Sequence, residues 1–261
     1  MTRAKQRVKR FAVRHHRQVA PFLPRGYRRY RFRGGHIYLD VRESPHMLRR
    51  ALGLYEPRKH AALQHFLRPG MTFLDIGANV GDFSLAAAKL MDDHGTIVAV
   101  EPGADNAAWL RRSIADNGYS TIHVRQVALG ETAGEVDLYL SRHAGLHSLT
   151  PHTFQRTVGS VKVPMSTLDE IVAAEGLDRV DVMKIDVEGA EMGVLRGGAE
   201  LFGRDDPMVV LLDLHPLLVD TAALCEWLTG RGFFLHEPGP PFGPLRASTK
   251  DLSEVVAIRG G

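Results

Sequence analysis

Residues 72–84 read TFLDIGANVGDFS, a short apolar run followed by a glycine-bearing turn and the start of a helix. Gly77 lets the backbone turn tightly after Asp75, and Gly81 lets a ligand or a strand lie close to the start of the helix. The first N–H groups of that helix have no partner within it, so they face whatever lies over the turn. The stretch therefore predicts a ligand site between a buried strand and the helix that follows it.

The spacing of these residues indicates which ligand binds. It is D-x-G-x-x-x-G, whereas dinucleotide binders that cradle a pyrophosphate use G-x-G-x-x-G. The carboxylate of Asp75 would repel a pyrophosphate, but it suits the sulfonium and the amino group of S-adenosylmethionine. We therefore predict S-adenosylmethionine as the cofactor, with Asp75 near its amino group. Its methionine part is expected beside Ala78, Asn79 and Ser84.

The ends of the next two predicted strands extend this cofactor site. Residues 96–101 are almost fully apolar, as expected of a parallel strand buried on both faces, and they lead into Glu101 and Pro102. An acid about 20 residues after Gly81 is placed to accept hydrogen bonds from both hydroxyls of a ribose; the alternative is an ordinary exposed loop acid. The edge of adenine is expected over three residues at the end of the third strand, 122–128: Gln126, Val127 and Ala128.

Alternating strands and helices predict the fold class. The order is that of a Rossmann-like α/β domain with a mostly parallel central sheet and flanking helices, decorated by one extra strand at 135–140. Such sheets bind ligands across the carboxyl ends of their strands. Polar residues follow the strands at that edge: Asp75, Glu101, Gln126, Asp186, Asp213 and His215. This convergence is the strongest argument from the residues alone. We divide the chain into a basic arm (1–35), a cap segment (36–71) and a cofactor-binding domain (72–261).

Composition excludes several classes of protein. The chain has 261 residues, and its single cysteine, Cys225, excludes an internal disulfide and a cysteine-based zinc cage. No apolar stretch approaches the roughly 20 residues of a membrane span, and no signal peptide is apparent, so a cytoplasmic protein is expected. The polar stretch 141–157 contains His143, His147 and His152. We interpret it as a loop over the substrate in preference to a metal site.

The first 33 residues carry most of the excess positive charge. They include twelve Lys or Arg residues, and no Asp or Glu occurs before Asp40. Such an arm could contact anionic lipid, nucleic acid or an anionic substrate. A weak helical stripe of Val8, Phe11, Ala12 and Val19 makes peripheral membrane contact through residues 3–33 conceivable. The alternative is a solvated tail or a helix packed on the domain.

Six short matches give the chain a family resemblance. They are Gly53–Glu56, Asp75–Gly81, Glu101-Pro102, Ala128–Gly130, Thr167–Asp169 and Lys184–Glu191. Through them the region from Gly35 to Pro216 resembles the FkbM family of S-adenosylmethionine-dependent methyltransferases. The resemblance implies a class I methyltransferase fold and transfer of a methyl group to a hydroxyl oxygen of a sugar, a polyketide or another secondary metabolite. It also implies that Glu56 approaches the cofactor. One departure is Asp213, where the family pattern leads us to expect a glutamate.

Methyl transfer to a hydroxyl requires positioning of the acceptor and removal of its proton. Asp186 and His215, at neighbouring strand ends, are the candidates for base or for acceptor positioning; the alternative for His215 is a hydrogen bond to a backbone carbonyl. Asp186 and Asp213 could instead share Mg²⁺, which would acidify the hydroxyl. Lys184 and Glu188 are expected to form an internal ion pair or to surround Asp186.

Rival functions remain open at this stage. A nucleic-acid methyltransferase would use the basic arm, but the chain lacks the N/D-P-P-Y turn of base amino-group methylation and the Pro-Cys pair of cytosine C5 chemistry. A nicotinamide-dependent dehydrogenase is disfavoured by the missing third glycine and by Asp75. A third possibility is a membrane-surface binding module on an inactive methyltransferase fold. The expected partner is a small-molecule or glycan hydroxyl acceptor, and assembly as a homo-oligomer is left open.

Overall fold

The computed structural model describes residues 3–141, 148–149, 157–245 and 252–260. The strands are β1 (Arg28–Phe32), β2 (Gly35–Leu39), β3 (Thr72–Ile76), β4 (Thr96–Val100), β5 (Ile122–Arg125), β6 (Ala128–Leu129), β7 (Gly134–Ser141), β8 (Thr157–Ser166), β9 (Val182–Ile185), β10 (Met208–Asp213), β11 (Phe234–His236) and β12 (Glu254–Arg259). The helices are α1 (Arg3–Arg14), α2 (His16–Val19), α3 (Pro45–Leu52), α4 (Pro57–Phe66), α5 (Asp82–Leu90), α6 (Ala104–Asn117), α7 (Leu168–Ala174), α8 (Glu191–Arg196), α9 (Ala199–Gly203) and α10 (Thr221–Thr229). The predicted loop histidines at 143, 147 and 152 lie outside the described residues.

A seven-stranded sheet forms the centre of the molecule, in the order β11-β12-β10-β9-β3-β4-β5. The strands from β10 to β5 run parallel, whereas β12 runs antiparallel to both of its neighbours, β10 and β11. The chain proceeds from β3 to β4 and β5 on one side, and from β9 to β10 on the other. The strand order therefore reverses beside β3, which is where open α/β sheets bind their ligands. The predicted α/β fold with a mostly parallel central sheet is confirmed.

Close packing explains the two glycines of the turn after β3. Gly77 has φ 76°, and a Cβ there would lie 1.9 Å from the carbonyl oxygen of Asp186. Gly81 has φ 89°, and its Cβ would lie 2.1 Å from Cδ1 of Leu110 on α6. Both positions combine a left-handed backbone with no room for a side chain. The turn is thus wedged between the chain after β9 and helix α6.

The N-terminal segment is packed on the domain. Strands β1 and β2 form an antiparallel hairpin in which Phe32 pairs with Gly35, so the boundary predicted at residue 35 falls inside this hairpin. Phe32 and Val13 are buried in the apolar cluster that contains Phe73 of β3. Of the stripe residues on α1, Val8 and Phe11 are 69% and 61% exposed and Ala12 is half-buried, while the neighbouring Val13 is buried. Among the helices in the described part of the chain, none is long and apolar enough to cross a membrane.

A second, three-stranded sheet of order β6-β8-β7 flanks the site. It contains the extra strand predicted at 135–140 as part of β7. The third strand, predicted to run to Ala128, ends at Arg125, because Ala128 leaves the central sheet and pairs with Met165 of β8. The chain after β9 forms two short helices, α8 and α9, which are separated at Gly197 and Gly198.

Candidate active site

A cavity of about 380 Å³ opens at the carboxyl ends of β3, β4, β9 and β10. Its lining brings together most of the residues predicted for the site: Glu56, Gly77, Ala78, Asn79, Glu101, Pro102, Val127, Ala128, Asp186, Asp213 and His215. The cap segment contributes a wall of the same cavity through His46, Arg50 and Tyr55. Four of the six strand-end residues predicted to converge thus share this cavity: Glu101, Asp186, Asp213 and His215.

Four predicted cofactor contacts do not line this cavity: Asp75, Gly81, Ser84 and Gln126. Asp75 is fully buried behind the turn, where its Oδ2 accepts a hydrogen bond of 2.6 Å from Oγ of Ser84. Gln126 is exposed and its Oε1 accepts from Nη1 of Arg111 at 3.1 Å. In this structure Asp75 and Ser84 brace the turn from beneath, so their contact with the cofactor stays a prediction.

Glu101 is held at the end of β4 by three N–H donors. Its Oε1 accepts from the backbone of Gly103 at 2.9 Å and from Nδ2 of Asn106 at 3.2 Å. Its Oε2 accepts from the backbone of Asn79 at 2.8 Å, which ties the acid to the glycine turn. Glu101 is only 5% exposed, so the alternative of an ordinary exposed loop acid is wrong. A buried carboxylate fixed in this way is oriented toward the cavity it lines.

Lys184 is a buried cation beneath the turn. Its Nζ donates to the carbonyl oxygen of Gly77 at 3.1 Å and lies 3.5 Å from Oδ1 of Asp75 and 3.6 Å from Oδ2 of Asp186. Burial opposes its charge, but the carboxylates of Asp186 and Asp75 outweigh burial and raise the pKa of the ammonium. Of the two alternatives for Lys184 and Glu188, the mutual ion pair is wrong, because Glu188 faces His215. The other alternative, a position around Asp186, describes Lys184, which pairs with Asp186 and also with Asp75.

A second buried lysine, Lys59 of α4, lies among three carboxylates. Its Nζ is hydrogen-bonded to Oδ2 of Asp213, lies 2.8 Å from Oε2 of Glu56 and lies 3.9 Å from Oε1 of Glu254. Burial and the nearby charge of Asp186 raise the pKa of Asp213, while Lys59 acts in the opposite direction. Sequence reasoning missed Lys59, although its position three residues after Glu56 on a helix was a usable signal.

His215 links the end of β10 to the turn after β9. Its Nδ1 donates to Oε1 of the fully buried Glu191 at 2.6 Å, and its Nε2 lies 3.3 Å from Oε2 of Glu188 and 4.0 Å from Oδ1 of Asp186. The expected alternative, a bond to a backbone carbonyl, is wrong because carboxylates surround the ring. Burial lowers its pKa, but the bond to Glu191 and the charge of Glu188 outweigh burial and raise it to about 9. His215 is therefore cationic at neutral pH.

Glu188 is a cavity-lining carboxyl group whose pKa lies near neutral pH. It lines the cavity beside His215, in a left-handed backbone conformation with φ 51°. Burial and the charge of Asp186 raise its pKa to about 7, against the opposing effect of His215. By contrast, the pKa of Asp186 is lowered, because Lys184 and Lys59 outweigh the effect of burial. The two neighbouring carboxyl groups thus differ in basicity.

A buried Arg50–Asp82 pair supports the cap-segment wall. Nε of Arg50 donates to Oδ1 of Asp82, the first residue of α5, at 2.9 Å. The guanidinium also stacks on the ring of Tyr55, with its Cζ 3.8 Å from the ring centroid. Charged groups removed from water require such pairing. Sequence reasoning identified only Glu56 in this region, since nothing in the local spacing links Arg50 to Asp82.

The fold is that of a class I, S-adenosylmethionine-dependent methyltransferase. Three features define it: the parallel sheet with its strand-order reversal, the glycine turn, and the acid at the end of β4. The profile of the methyltransferase FkbM domain matches residues 75–235, well over half of the chain, and the chain belongs to this family. The resemblance proposed from the short motifs is confirmed.

Individual relatives are more distant. The chain is 31% identical over 153 residues to methyltransferase sdnD of Sordaria araneosa, covering 48% of this chain and 59% of that protein. It is 25% identical over 147 residues to 2-O-methyltransferase NoeI of Sinorhizobium fredii, covering 51% and 59%. Both matches thus span less than two thirds of the relative. A crystal structure of methyltransferase FkbM from Methylobacillus flagellatus is similar with a TM-score of 0.48 and 16% identity, over 95% of this chain and 59% of that one.

Proposed function

We propose that this protein is an S-adenosylmethionine-dependent O-methyltransferase that acts on a hydroxyl group of a sugar, a polyketide or another secondary metabolite. One observation carries the proposal. The glycine turn and Glu101 line the same cavity as the charged groups of Asp186, Glu188 and His215. Two relatives support parts of this proposal. One is called a 2-O-methyltransferase, which supports transfer to oxygen, and one from Haloferax volcanii, 27% identical over 125 residues, is called a hexuronic acid methyltransferase, which supports a sugar acceptor.

The residues at the turn fit the cofactor. Glu101, fixed by backbone N–H groups, would hold the ribose, and the half-buried Val127 and buried Ala128 offer an apolar surface for adenine. Asn79 would face the methionine part. When bound, S-adenosylmethionine supplies an electrophilic methyl group. The chain's own residues then have to hold the acceptor oxygen in line and take up its proton.

Within the proposal, Glu188 takes the proton of the acceptor. Asp186 and His215 were the candidates from sequence, but each is held in its charged form, Asp186 by Lys184 and His215 by Glu191. A base works best when its pKa lies near the working pH, which Glu188 satisfies. His215, 3.3 Å from Glu188, orients this carboxylate, and Asp186 positions the acceptor hydroxyl.

A magnesium ion would compete with Lys59 for the same carboxylates. Glu56, Asp186 and Asp213 each offer an oxygen within 4.8 Å of one another, a donor set that suits a hard cation. However, Lys59 already pairs with Glu56 and Asp213, so an ion would have to displace a buried ammonium group. We therefore derive no step through a metal. Dependence on Mg²⁺ stays a prediction, which comparing turnover with added MgCl₂ and with EDTA would test.

Calorimetry tests the cofactor assignment without knowledge of the acceptor. The purified protein should bind S-adenosylhomocysteine and not NAD. Glu101→Ala should weaken binding roughly 10- to 100-fold, because hydrogen bonds to a charged group contribute about 1.5–3 kcal/mol. Glu131→Ala, an exposed acid paired with Arg196, is the matched control and should bind as the wild type does. Unchanged affinity in Glu101→Ala, or preferential binding of NAD, would overturn the proposal.

A further inference from the structure

The outward face of α1 combines apolar and basic side chains. Phe11 is 61% exposed, and the exposed Arg7 and Arg14 lie one turn before and one turn after it on the same face. Val8, three residues before Phe11, is 69% exposed, and Arg10 is also exposed. We call Arg7, Val8, Arg10, Phe11 and Arg14 the docking surface.

The opposite side of this segment is fixed to the protein. Val13 is buried in the apolar cluster, and Nζ of Lys9 donates to the carbonyl oxygen of Leu52 at 2.8 Å. The buried His16 donates from Nε2 to the carbonyl oxygen of Val41 at 3.0 Å. These contacts use the inward face of the helix, so the exposed apolar groups cannot turn inward without breaking them. The docking surface is thus presented on a packed element.

We propose that the docking surface binds the headgroup region of an anionic lipid bilayer. Arginines attract anionic headgroups, and apolar side chains between them gain free energy by entering the boundary with the acyl chains. No Asp or Glu precedes Asp40, so nothing within this segment opposes the attraction. A nucleic acid would also attract the arginines, but it offers no apolar phase for Val8, whose side chain neither stacks on bases nor forms hydrogen bonds.

The position of the docking surface relates it to the cavity. Helix α1 packs on α3, and α3 contributes His46 and Arg49 to the cavity lining. A bilayer bound at α1 would therefore lie one helix away from the cavity wall. This binding is independent of the methyl transfer proposed above, because no residue of the docking surface lines the cavity.

Vesicle sedimentation of the full chain tests the inference. The protein should sediment with vesicles of phosphatidylcholine and phosphatidylglycerol, but not with phosphatidylcholine alone, and salt should weaken the binding. The triple variant Arg7→Gln, Arg10→Gln, Arg14→Gln should lose roughly 100-fold in partitioning, since each basic residue near an anionic surface contributes about fivefold. The double variant Val8→Ser, Phe11→Ser should lose the binding that persists at high salt.

Matched controls separate this surface from general charge and hydrophobicity. Arg112→Gln with Lys162→Gln and Arg196→Gln removes three exposed cations elsewhere, and Phe234→Ser removes a 72% exposed phenylalanine on β11. Both controls should sediment as the wild type does. Retained affinity for S-adenosylhomocysteine establishes that each variant is folded. Equal sedimentation of all variants, or salt-sensitive binding to RNA without binding to anionic vesicles, would overturn the inference.

Discussion

Replacing Lys184 with Met should destabilise the protein strongly, because it leaves the buried Asp75 without its cation and removes one of the cations near Asp186. Lys184 has a side-chain exposure of 4%, Asp75 is fully buried, and Asp186 lies 3.6 Å away. Removing one partner of a buried ion pair typically costs about 3–5 kcal/mol. In a chain of this length, that free energy corresponds to a fall in Tm of roughly 10 °C. Urea unfolding near neutral pH measures the change directly.

The pH dependence of the Lys184→Met defect follows from the same charges. Burial already raises the pKa of Asp75 against the opposing effect of Lys184, so loss of the ammonium group raises it further. The resulting penalty is fully present above the folded-state pKa of Asp75, and it shrinks as pH falls through that value toward the unfolded pKa. The deficit should therefore be smaller at about pH 5 than at neutral pH. A deficit that grows on acidification would refute this reasoning.

Two controls identify the origin of the Lys184→Met defect. Lys162→Met replaces an exposed lysine of β8 and should change stability by less than about 0.5 kcal/mol. Adding Asp75→Asn to Lys184→Met removes one of the stranded charges and should recover part of the loss, a coupling that a double-mutant cycle quantifies. Equal stability of the Lys184 and Lys162 variants would mean that the buried charge network is not formed.

Further predictions concern the turn and the proposed base. Gly77→Ala should destabilise the protein by several kcal/mol and abolish S-adenosylhomocysteine binding, because its Cβ would collide with the backbone carbonyl of Asp186. Gly176 is the control, since it is also left-handed, with φ 63°, but faces open space. Gly176→Ala should cost only about 1 kcal/mol in the same unfolding assay. Once an acceptor is known, Glu188→Gln should lower kcat roughly 100-fold or more. In the wild type, kcat/KM should fall as pH drops through about 7, which gives the pH profile an acidic limb. His215→Gln should move this acidic limb to higher pH, since removing the cation raises the pKa of Glu188; an unmoved limb would exclude Glu188 as the base.

Local sequence patterns were sufficient to predict the central sheet and the position of the site. Buried parallel strands read as continuous apolar runs, and their carboxyl ends meet at one edge, so Glu101, Asp186 and His215 could be brought together without coordinates. The turn itself was predicted correctly because Gly77 and Gly81 serve a local backbone requirement. Their packing partners, Asp186 and Leu110, were beyond sequence reasoning, since they depend on which elements the fold places against the turn.

Charge pairing was the part of the site that the sequence could not reveal. Lys184 was expected either to pair with Glu188 or to lie around Asp186. It pairs with Asp186, and also with Asp75 on a neighbouring strand, which the sequence did not indicate. Arg50 finds Asp82 across 32 residues. Ion pairs of this kind form wherever burial leaves a charge in need of a partner, and burial is a property of the whole fold. The packing of α1 could not be predicted for the same reason. Its composition indicated a basic arm, but which face of the helix is buried depends on the whole fold.

The departure from the family pattern at Asp213 has a structural counterpart in Lys59. Asp213, at the end of β10, pairs directly across the antiparallel ladder with Glu254 of β12. Like charges in such positions repel one another, and Lys59 reaches both of them while also pairing with Glu56. One ammonium group therefore ties helix α4 of the cap segment to the carboxyl ends of the central strands. Because Lys59 is buried, the cap segment cannot move away from the sheet without exposing or stranding these charges. This coupling gives a physical reason for the motif at Gly53–Glu56 to accompany the strand-end motifs: they are two walls of one site.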